Sequence, residues 1–310
     1  VKIDNRVFPL RDTRFPTVTP DDPFALTPAE QHVVVRMKSA FLNSEKIQRH
    51  ARFLFTKGSI YKTCNGNLLY HGCLPMNNDG TFKSLRLEHK VYEGKALMEK
   101  MHRLAREGFF TTGNSAKKQE GLDAMWYLWC GPCSPLFGKE KMATFERYFI
   151  EDPSTHSEPR NIYYTLRDDE ATIRRILQTF DLDPDVGHVI NGHVPVIVKK
   201  MESPLKAGGK LIVIDGGFSK AYQEKTGIAG YTLVYNSWGL LLATHHGKAA
   251  RAPADQEIHD IDCTTEIIEK RDHRIRIKHT DQGQEIKRRL EALTALQKAY
   301  QDGSIVLDKF

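Results

Sequence analysis

Two histidines occupy similar positions in the sequence, each where a predicted strand ends and each beside a glycine. His71 lies in Tyr70-His71-Gly72, and His193 lies in Gly192-His193-Val194. Neutral imidazole is the commonest metal ligand in proteins, and a glycine lets another backbone or an ion approach closely. A histidine at a strand end can equally be a hydrogen-bonded surface residue. The pair by itself does not decide between these two interpretations.

A second pattern, Trp129-Cys130-Gly131-Pro132-Cys133, matches the redox motif of thioredoxins. In that motif a helix N-terminus and the neighbouring thiol lower the pKa of one cysteine. Here residues 122–128 predict a helix before the motif, and the residues after it do not continue as a helix. Zinc binding is also disfavoured, because no second ligand pair follows at the spacing of a zinc site. A thioredoxin-like oxidoreductase acting through Cys130 and Cys133 is therefore a less favoured alternative.

The composition of the chain limits the classes of function. The 310 residues are 40% apolar and 27% charged, with a formal net charge of +6. Basic residues are scattered among acidic ones, which favours an anionic small molecule over nucleic acid as partner. No apolar run approaches the roughly 20 residues that cross a bilayer, and the N-terminus lacks the pattern of a signal peptide. These two features predict a cytoplasmic location and no membrane partner, and the five cysteines, an odd and sparse set, predict reduced thiols.

Helix signals are clearest in the first part of the chain. Residues 1–26 are rich in proline and predict a linker or surface loop. Thr27-Pro28-Ala29-Glu30 combines a capping box with proline at the first helical position, and it predicts the start of one long helix that Gly58 ends. Further helices are predicted over about 92–107, 119–129 and 168–180, and an amphipathic one through Ile286, Leu290, Leu293 and Tyr300.

Turn residues locate the strands. Asn65-Gly66 accepts the positive φ angles of a tight hairpin turn and predicts strands over 59–64 and 67–71, so that His71 ends a strand. Asn236-Ser237-Trp238-Gly239 predicts a second hairpin. Other strands are predicted over 186–190, 211–215 and about 273–279, with a turn at Asn191-Gly192-His193 and long ordered loops over 131–165.

Four stretches of the sequence carry a resemblance to a known family. They are residues 65–75, 134–139, 189–196 and 214–223. They look like the class III fructose-1,6-bisphosphatases, bacterial members of the metallophosphoesterase superfamily, and the likeness extends from Thr27 to the C-terminal helix. The resemblance implies an α/β (α+β) fold, a β-sandwich of mixed sheets flanked by helices with helical elaborations.

The resemblance also implies an arrangement of domains. Residues 1–26 are expected to form the linker or surface loop. Residues 27–250 are expected to form the C-terminal half of a metallophosphoesterase-like domain with a helical insertion at about 84–130. Residues 251–310 are expected to form a C-terminal extension of one strand and one amphipathic helix.

In that superfamily five motifs build a site for two divalent metals at strand ends. His71 matches the fourth motif, a strand-terminal His-Gly, and His193 matches the fifth, Gly-His, with Val194-Pro195 where some branches have a second histidine. No Asp-x-His, Gly-Asp or Asn-His occurs in the sequence, so the first three motifs are absent. Two hard cations need roughly ten to twelve ligand positions, more than two imidazoles can fill. We therefore expect a C-terminal half that is inactive alone, with the general acid and the bridging carboxylate outside this chain.

The resemblance implies metal-dependent hydrolysis of fructose 1,6-bisphosphate to fructose 6-phosphate and phosphate, a step of gluconeogenesis, with Mn²⁺ as the cofactor. The partners implied are the sugar bisphosphate, the missing N-terminal half and, in a homo-oligomer, further copies of the chain. A non-catalytic C-terminal binding or regulatory module is the main alternative.

For the second phosphate of the substrate, Lys139, Arg147 and Lys220 are candidate cations, and Tyr222 is a further candidate. Each of the three cations is explained equally well as ordinary solvated surface charge. Asp215, followed by two glycines, predicts a tight turn after a buried strand.

Overall fold

The computed structural model describes residues 1–217, 219–246 and 263–305. The chain divides into two compact units, and each is made of two separate stretches of sequence. The first unit comprises Val1–Tyr61 and Gly72–Leu166, and the second comprises Lys62–His71 and Arg167–Phe310.

The bounds of the regular elements are as follows. The α-helices are α1 (Pro28–Leu42), α2 (Glu45–Lys57), α3 (Gly94–Phe110), α4 (Ala116–Cys130), α5 (Thr144–Phe149), α6 (Tyr163–Leu166), α7 (Glu170–Thr179), α8 (Lys220–Thr226) and α9 (Asp281–Gln301). The strands are β1 (Lys2–Ile3), β2 (Arg6–Val7), β3 (Tyr61–Cys64), β4 (Asn67–Tyr70), β5 (Leu85–Leu87), β6 (Lys90–Tyr92), β7 (Val189–Asn191), β8 (Leu205–Lys206), β9 (Leu211–Val213), β10 (Gly230–Asn236), β11 (Gly239–His245) and β12 (Cys263–Lys270). Short 3₁₀ helices lie at Pro153–His156, Val198–Lys200, Ala207–Gly209 and Ile277–His279. Among the helices of the described residues, none has the length and apolar character that crossing a bilayer requires.

The predicted start of the first helix is confirmed, but its predicted length is wrong. The Thr27 hydroxyl accepts the N–H of Glu30, and the Glu30 carboxylate accepts the N–H of Thr27, which completes the capping box. The helix ends at Leu42 and a second helix begins at Glu45. The hydroxyl of Ser44 accepts the N–H of Ile47 at 3.4 Å and so provides a new N-cap, because a side-chain oxygen there satisfies a donor of the first turn.

The helical pair α3 and α4 forms the centre of the first unit, which confirms the helices predicted over 92–107 and 119–129. A Cβ added to Gly108 would lie 2.6 Å from the backbone of Gly121, so the two helices cross in direct backbone contact. Lys100 on α3 is only 6% exposed and pairs with Glu88 at 3.6 Å and Glu120 at 3.3 Å. A buried ammonium requires such partners.

A five-stranded sheet forms the core of the second unit, in the order β3-β4-β7-β9-β8. Strands β4, β7 and β9 are parallel, and β8 is antiparallel to β9. Because Tyr70 pairs with Asn191 and Asn191 with Val213, the three parallel strands end at one level. The residues that follow them therefore lie along a single edge of the sheet, the edge where α/β proteins commonly bind ligands.

The second unit also contains an antiparallel sheet of β10, β11 and β12. The hairpin predicted at Asn236–Gly239 is confirmed, and so is the one at Asn65-Gly66, where the φ angles are 50° and 81°. The strand predicted over about 273–279 is wrong: a 3₁₀ helix lies at Ile277–His279, and the strand that pairs with β11 is β12. The described residues therefore form a mixed α/β protein with four sheets, one mixed and three antiparallel.

Candidate metal centre

His71 and His193 face each other at the edge where the parallel strands end. His71 directly follows β4, and His193 lies two residues after β7. Nε2 of His71 and Nδ1 of His193 are 3.0 Å apart, and the two rings meet edge to face with their centroids 4.9 Å apart. The predicted position of each histidine at a strand end is confirmed, and the structure brings the two nitrogens together.

The backbone around the pair explains this approach. The N–H of Gly192 donates to the carbonyl oxygen of His71 at 3.0 Å, which joins the two strand ends beyond the sheet. His193 has a φ of 67°, in the left-handed region. Few residues other than glycine adopt this conformation, and histidine is among those that do so more often.

Asn191 supports the histidine pair from inside the protein. It is 1% exposed and forms the last residue of β7, although the sequence predicted it in a turn. Its Nδ2 donates to the carbonyl oxygens of Tyr70 at 3.4 Å and His71 at 3.1 Å. Its Oδ1 accepts from Nη1 of Arg167 at 3.2 Å. Sequence reasoning missed the roles of both residues, because Asn191-Gly192 is a typical turn signal and Arg167 belongs to no motif.

The two imidazoles fit part of a divalent metal site. Two ligands about 2.1 Å from one ion and at right angles to each other are about 3.0 Å apart, as the facing nitrogens are here. The same separation suits a hydrogen bond in which one ring donates to the other. Among the described residues, no group of three or more His, Cys, Asp and Glu side chains is arranged to hold a metal. The described residues thus offer two adjacent ligand positions and not a complete site.

The glycines beside the two histidines have different roles. A Cβ on Gly72 would lie 2.3 Å from the carbonyl oxygen of Pro135, closer than real Cβ contacts. A Cβ on Gly192 would lie 3.5 Å from the carbonyl oxygen of His71, an ordinary contact. The close backbone approach expected at both glycines is therefore required only at Gly72.

Asp215 follows β9 on the same sheet edge and forms the predicted tight turn. Its Oδ1 accepts the N–H of Gly217 at 3.0 Å, and Gly217 has a φ of 73°. The carbonyl oxygen of Asp215 accepts the N–H of Val196 at 2.8 Å. These contacts hold the loop after His193 against the end of β9.

Two of the candidate cations, Lys139 and Arg147, lie in the first unit and share one carboxylate. Nζ of Lys139 and Nη2 of Arg147 lie 2.6 Å and 3.4 Å from Oε2 of Glu158. The backbone N–H of Ala143 and the ammonium of Lys139 hold the pKa of Glu158 below its ordinary value. Two cations and one anion leave the cluster with one net positive charge.

The other two candidates lie in the second unit. Tyr222 in α8 is 52% exposed, and the ammonium of Lys225 lies 5.9 Å from the centre of its ring. Lys220 begins α8, but its side chain is outside the described part of the structure.

The Cys130–Cys133 motif stands at the C-terminal end of a helix. Cys130 is the last residue of α4, which confirms the helix predicted before the motif. The N–H of Cys133 donates to the Tyr127 hydroxyl at 3.1 Å, and a Cβ on Gly131 would lie 2.5 Å from the Tyr127 ring. Thioredoxin-type chemistry uses the opposite, N-terminal end of a helix. In this chain the residues that follow α4 fold back and pack against Tyr127 of the same helix.

Comparisons with known proteins agree with the resemblance seen in the sequence. The family model described as Firmicute fructose-1,6-bisphosphatase matches residues 1–302. Proteins named fructose-1,6-bisphosphatase class 3 from Clostridium novyi, Alkaliphilus metalliredigens and Clostridium acetobutylicum are 51%, 50% and 52% identical to the chain. Each match covers 98% of this chain and 46% of the relative.

No solved structure shows a significant match to the chain. The chain spans about half the length of the curated relatives it matches. The match to the family model extends over nearly all of its residues, and the chain belongs to the Firmicute fructose-1,6-bisphosphatase family.

Proposed function

We propose that this chain supplies His71 and His193 as two ligands of a binuclear divalent metal site that hydrolyses fructose 1,6-bisphosphate to fructose 6-phosphate and phosphate. The observation that carries the proposal is the 3.0 Å separation of the two facing imidazole nitrogens. It occurs at the sheet edge where ligands commonly bind. The names of the relatives, fructose-1,6-bisphosphatase class 3, support the choice of substrate and of a hydrolase acting in gluconeogenesis.

The rest of the site is proposed to come from polypeptide that the relatives carry and this chain's match does not cover. Two imidazoles cannot complete a binuclear site, and no larger ligand group occurs in the described residues. The chain covers 46% of each relative. On this proposal it is a C-terminal portion, inactive alone, and the bridging carboxylate and the general acid lie outside it.

The residues of this chain have separate tasks in the proposed reaction. Divalent metals supply charge stabilisation for phosphoryl oxygens and lower the pKa of water, and Mn²⁺ is proposed from the resemblance. His71 and His193 bind as neutral imidazoles. Asn191 fixes the backbone of His71 through its carbonyl oxygen, as residues behind metal ligands commonly do.

Lys139 and Arg147 are proposed to bind the second phosphate of the substrate. A phosphate carries more charge than the carboxylate of Glu158, which both cations contact, and Arg and Lys both bind phosphate well. Lys220 and Tyr222 are proposed for the same role from the resemblance alone. The metallophosphoesterase sandwich, the domain limits and the cytoplasmic location also stay predictions.

Phosphate release tests the proposal directly. The purified chain would be incubated with Mn²⁺ and fructose 1,6-bisphosphate, alone and with a polypeptide comprising the unmatched part of the Clostridium novyi relative. We expect release only from the mixture, with loss of release after metal chelation. Release by the chain alone would contradict the divided site. Association of the two polypeptides without any release would favour the non-catalytic module.

A further inference from the structure

Helix α1 exposes more apolar surface than a helix on the surface of a protein normally does. No residue of α1 is buried. Six large apolar side chains of the helix are between 47% and 60% exposed: Val33, Val34, Val35, Met37, Phe41 and Leu42. Single exposed apolar residues are normal, but six on one helix of 15 residues indicate an interaction surface.

These side chains lie on opposite sides of α1. At about 3.6 residues per turn, Val33, Met37 and Phe41 follow one line along the helix, while Val35 and Leu42 lie on the far side. A surface helix has a single apolar stripe about 100° wide, and a helix that is apolar on all sides is normally buried in a core. The capping box at Thr27 shows that the sequence specifies a helix here. A helix of 15 residues needs packing partners to be stable in water.

The distribution of apolar residues distinguishes between two partners. Pairing α1 with α1 of a second copy would cover one side and leave the other in water. A single exposed stripe suited to such pairing occurs on α9 instead, at Ile286, Leu290 and Leu293. A helix apolar on both sides needs a partner that surrounds it. More than half of each relative lies outside the match to this chain, which is enough polypeptide to do so.

We infer that α1 inserts into a core formed with the polypeptide that the relatives carry outside the matched region. The inference rests on the proposed function for the identity of the partner, and it adds the place on this chain where the partner binds. Helix α2, which follows, exposes Phe53 and Leu54 and carries Lys46, Arg49, Arg52 and Lys57 against one acid, Glu45. Complementary charge across an interface favours the correct register of the two partners. We therefore expect the partner surface to be apolar where it covers α1 and acidic where it faces the basic residues of α2.

Two charge variants about 120° apart around α1, Val35→Glu and Phe41→Glu, test the inference, with Leu293→Glu on α9 as the matched control. The binding partner is the purified polypeptide comprising the unmatched part of the Clostridium novyi relative, and binding is measured by calorimetry. Each α1 variant is expected to bind at least about 30-fold more weakly, as for apolar residues at the centre of an interface. The control is expected to bind within about twofold of the wild type.

The same variants are expected to leave the thermal unfolding of the chain alone unchanged, because no side chain of α1 is buried. Amide hydrogen exchange should be fast throughout α1 in the chain alone and slow in the mixture. Slow exchange in the chain alone would overturn the inference. Protection of the α1 amides that does not depend on protein concentration would indicate that the chain itself covers the helix. Protection that increases with protein concentration would indicate that a second copy covers it.

Failure of the inference can be separated from failure of the proposed function. If the wild-type mixture releases phosphate and the α1 variants bind normally, only the inference fails. If the α1 variants lose binding and the wild-type mixture releases no phosphate, only the proposed function fails. No association between the wild-type chain and the polypeptide would overturn the inference.

Discussion

The pair His71–His193 and the cluster Lys139–Arg147–Glu158 are both made of side chains that bind charged groups, and they differ in what satisfies them. In the cluster, Glu158 accepts a hydrogen bond from Lys139 and forms an ion pair with Arg147, so most of the charge is balanced within the protein. In the pair, two imidazole nitrogens face each other at 3.0 Å. At that distance the two nitrogens either share one proton in a hydrogen bond or bind one metal ion together. The pair is therefore the better candidate for a site that an added ion completes.

The two regions also differ in the structural elements that carry their side chains. His71 and His193 extend from buried parallel strands whose ends are joined by Asn191, a residue 1% exposed. Lys139, in the segment between α4 and α5, and Arg147, on the six-residue helix α5, are 34% and 53% exposed. Sites on rigid elements hold their geometry better than sites on loops. We expect substitutions at the pair to change metal binding and substitution of Glu158 in the cluster to change stability.

The largest effect is expected from removing either histidine. His71→Ala and His193→Ala should each weaken Mn²⁺ binding by the chain at least about 100-fold, because residues behind metal ligands already contribute about 10- to 100-fold. Electron paramagnetic resonance of free Mn²⁺ measures this affinity. His89→Ala, an exposed histidine between β5 and β6, is the control and should bind as the wild type does. If all three variants bound Mn²⁺ with the affinity of the wild type, the pair would not be a metal site.

Asn191 should have the next largest effect. Asn191→Leu removes the donor to the carbonyl oxygens of Tyr70 and His71 and the acceptor for Arg167. Leaving buried polar groups without this partner costs about 2–3 kcal/mol. Urea denaturation measures the loss. Mn²⁺ affinity should fall about tenfold while both histidines remain.

Asn191→Asp provides the more selective test at that position. It keeps the size of the side chain and an acceptor for Arg167 but places a carboxylate oxygen against the two carbonyl oxygens. Metal affinity should fall in this variant as well. A variant that loses stability but keeps full Mn²⁺ affinity would show that Asn191 does not position His71.

The sequence predicted the histidine pair because local signals determine where strands end. The turn at Asn65-Gly66 sets the register of β4 and hence the position of His71. Asn191 could not be identified in this way, because its role depends on contacts with residues about 120 positions away. The break at Ser44 was missed although its N-cap signal is local. The strand β12, which pairs with β11, was also missed although four of its eight residues are β-branched.

Substitution of Glu158 in the cluster is expected to have a smaller effect on the free energy of unfolding, and this effect depends on pH. Glu158→Gln should lower the free energy of unfolding by about 1 kcal/mol at neutral pH, because it weakens hydrogen bonds made by a charged group. The folded-state pKa of Glu158 is lowered, so its contribution is present above the unfolded pKa of about 4.3 and is lost as pH falls through the folded value. Urea denaturation from pH 7 to pH 3 should therefore show wild type and variant converging. If the difference in free energy of unfolding stayed constant across this range, the effect of the substitution would come from packing and not from charge.

The smallest effect concerns strain in the backbone at His193. His193→Gly and His71→Gly remove the same contact between the rings, and both introduce a glycine. Of the two histidines, His193 alone has a positive φ, 67°. A side chain in this left-handed region costs roughly 1–2 kcal/mol relative to glycine. In metal-free urea denaturation, His193→Gly should therefore be more stable than His71→Gly by about 1 kcal/mol. Equal stabilities would mean that the conformation of His193 carries no strain. A difference of the expected sign would show that the protein gives up stability to hold the second imidazole opposite the first.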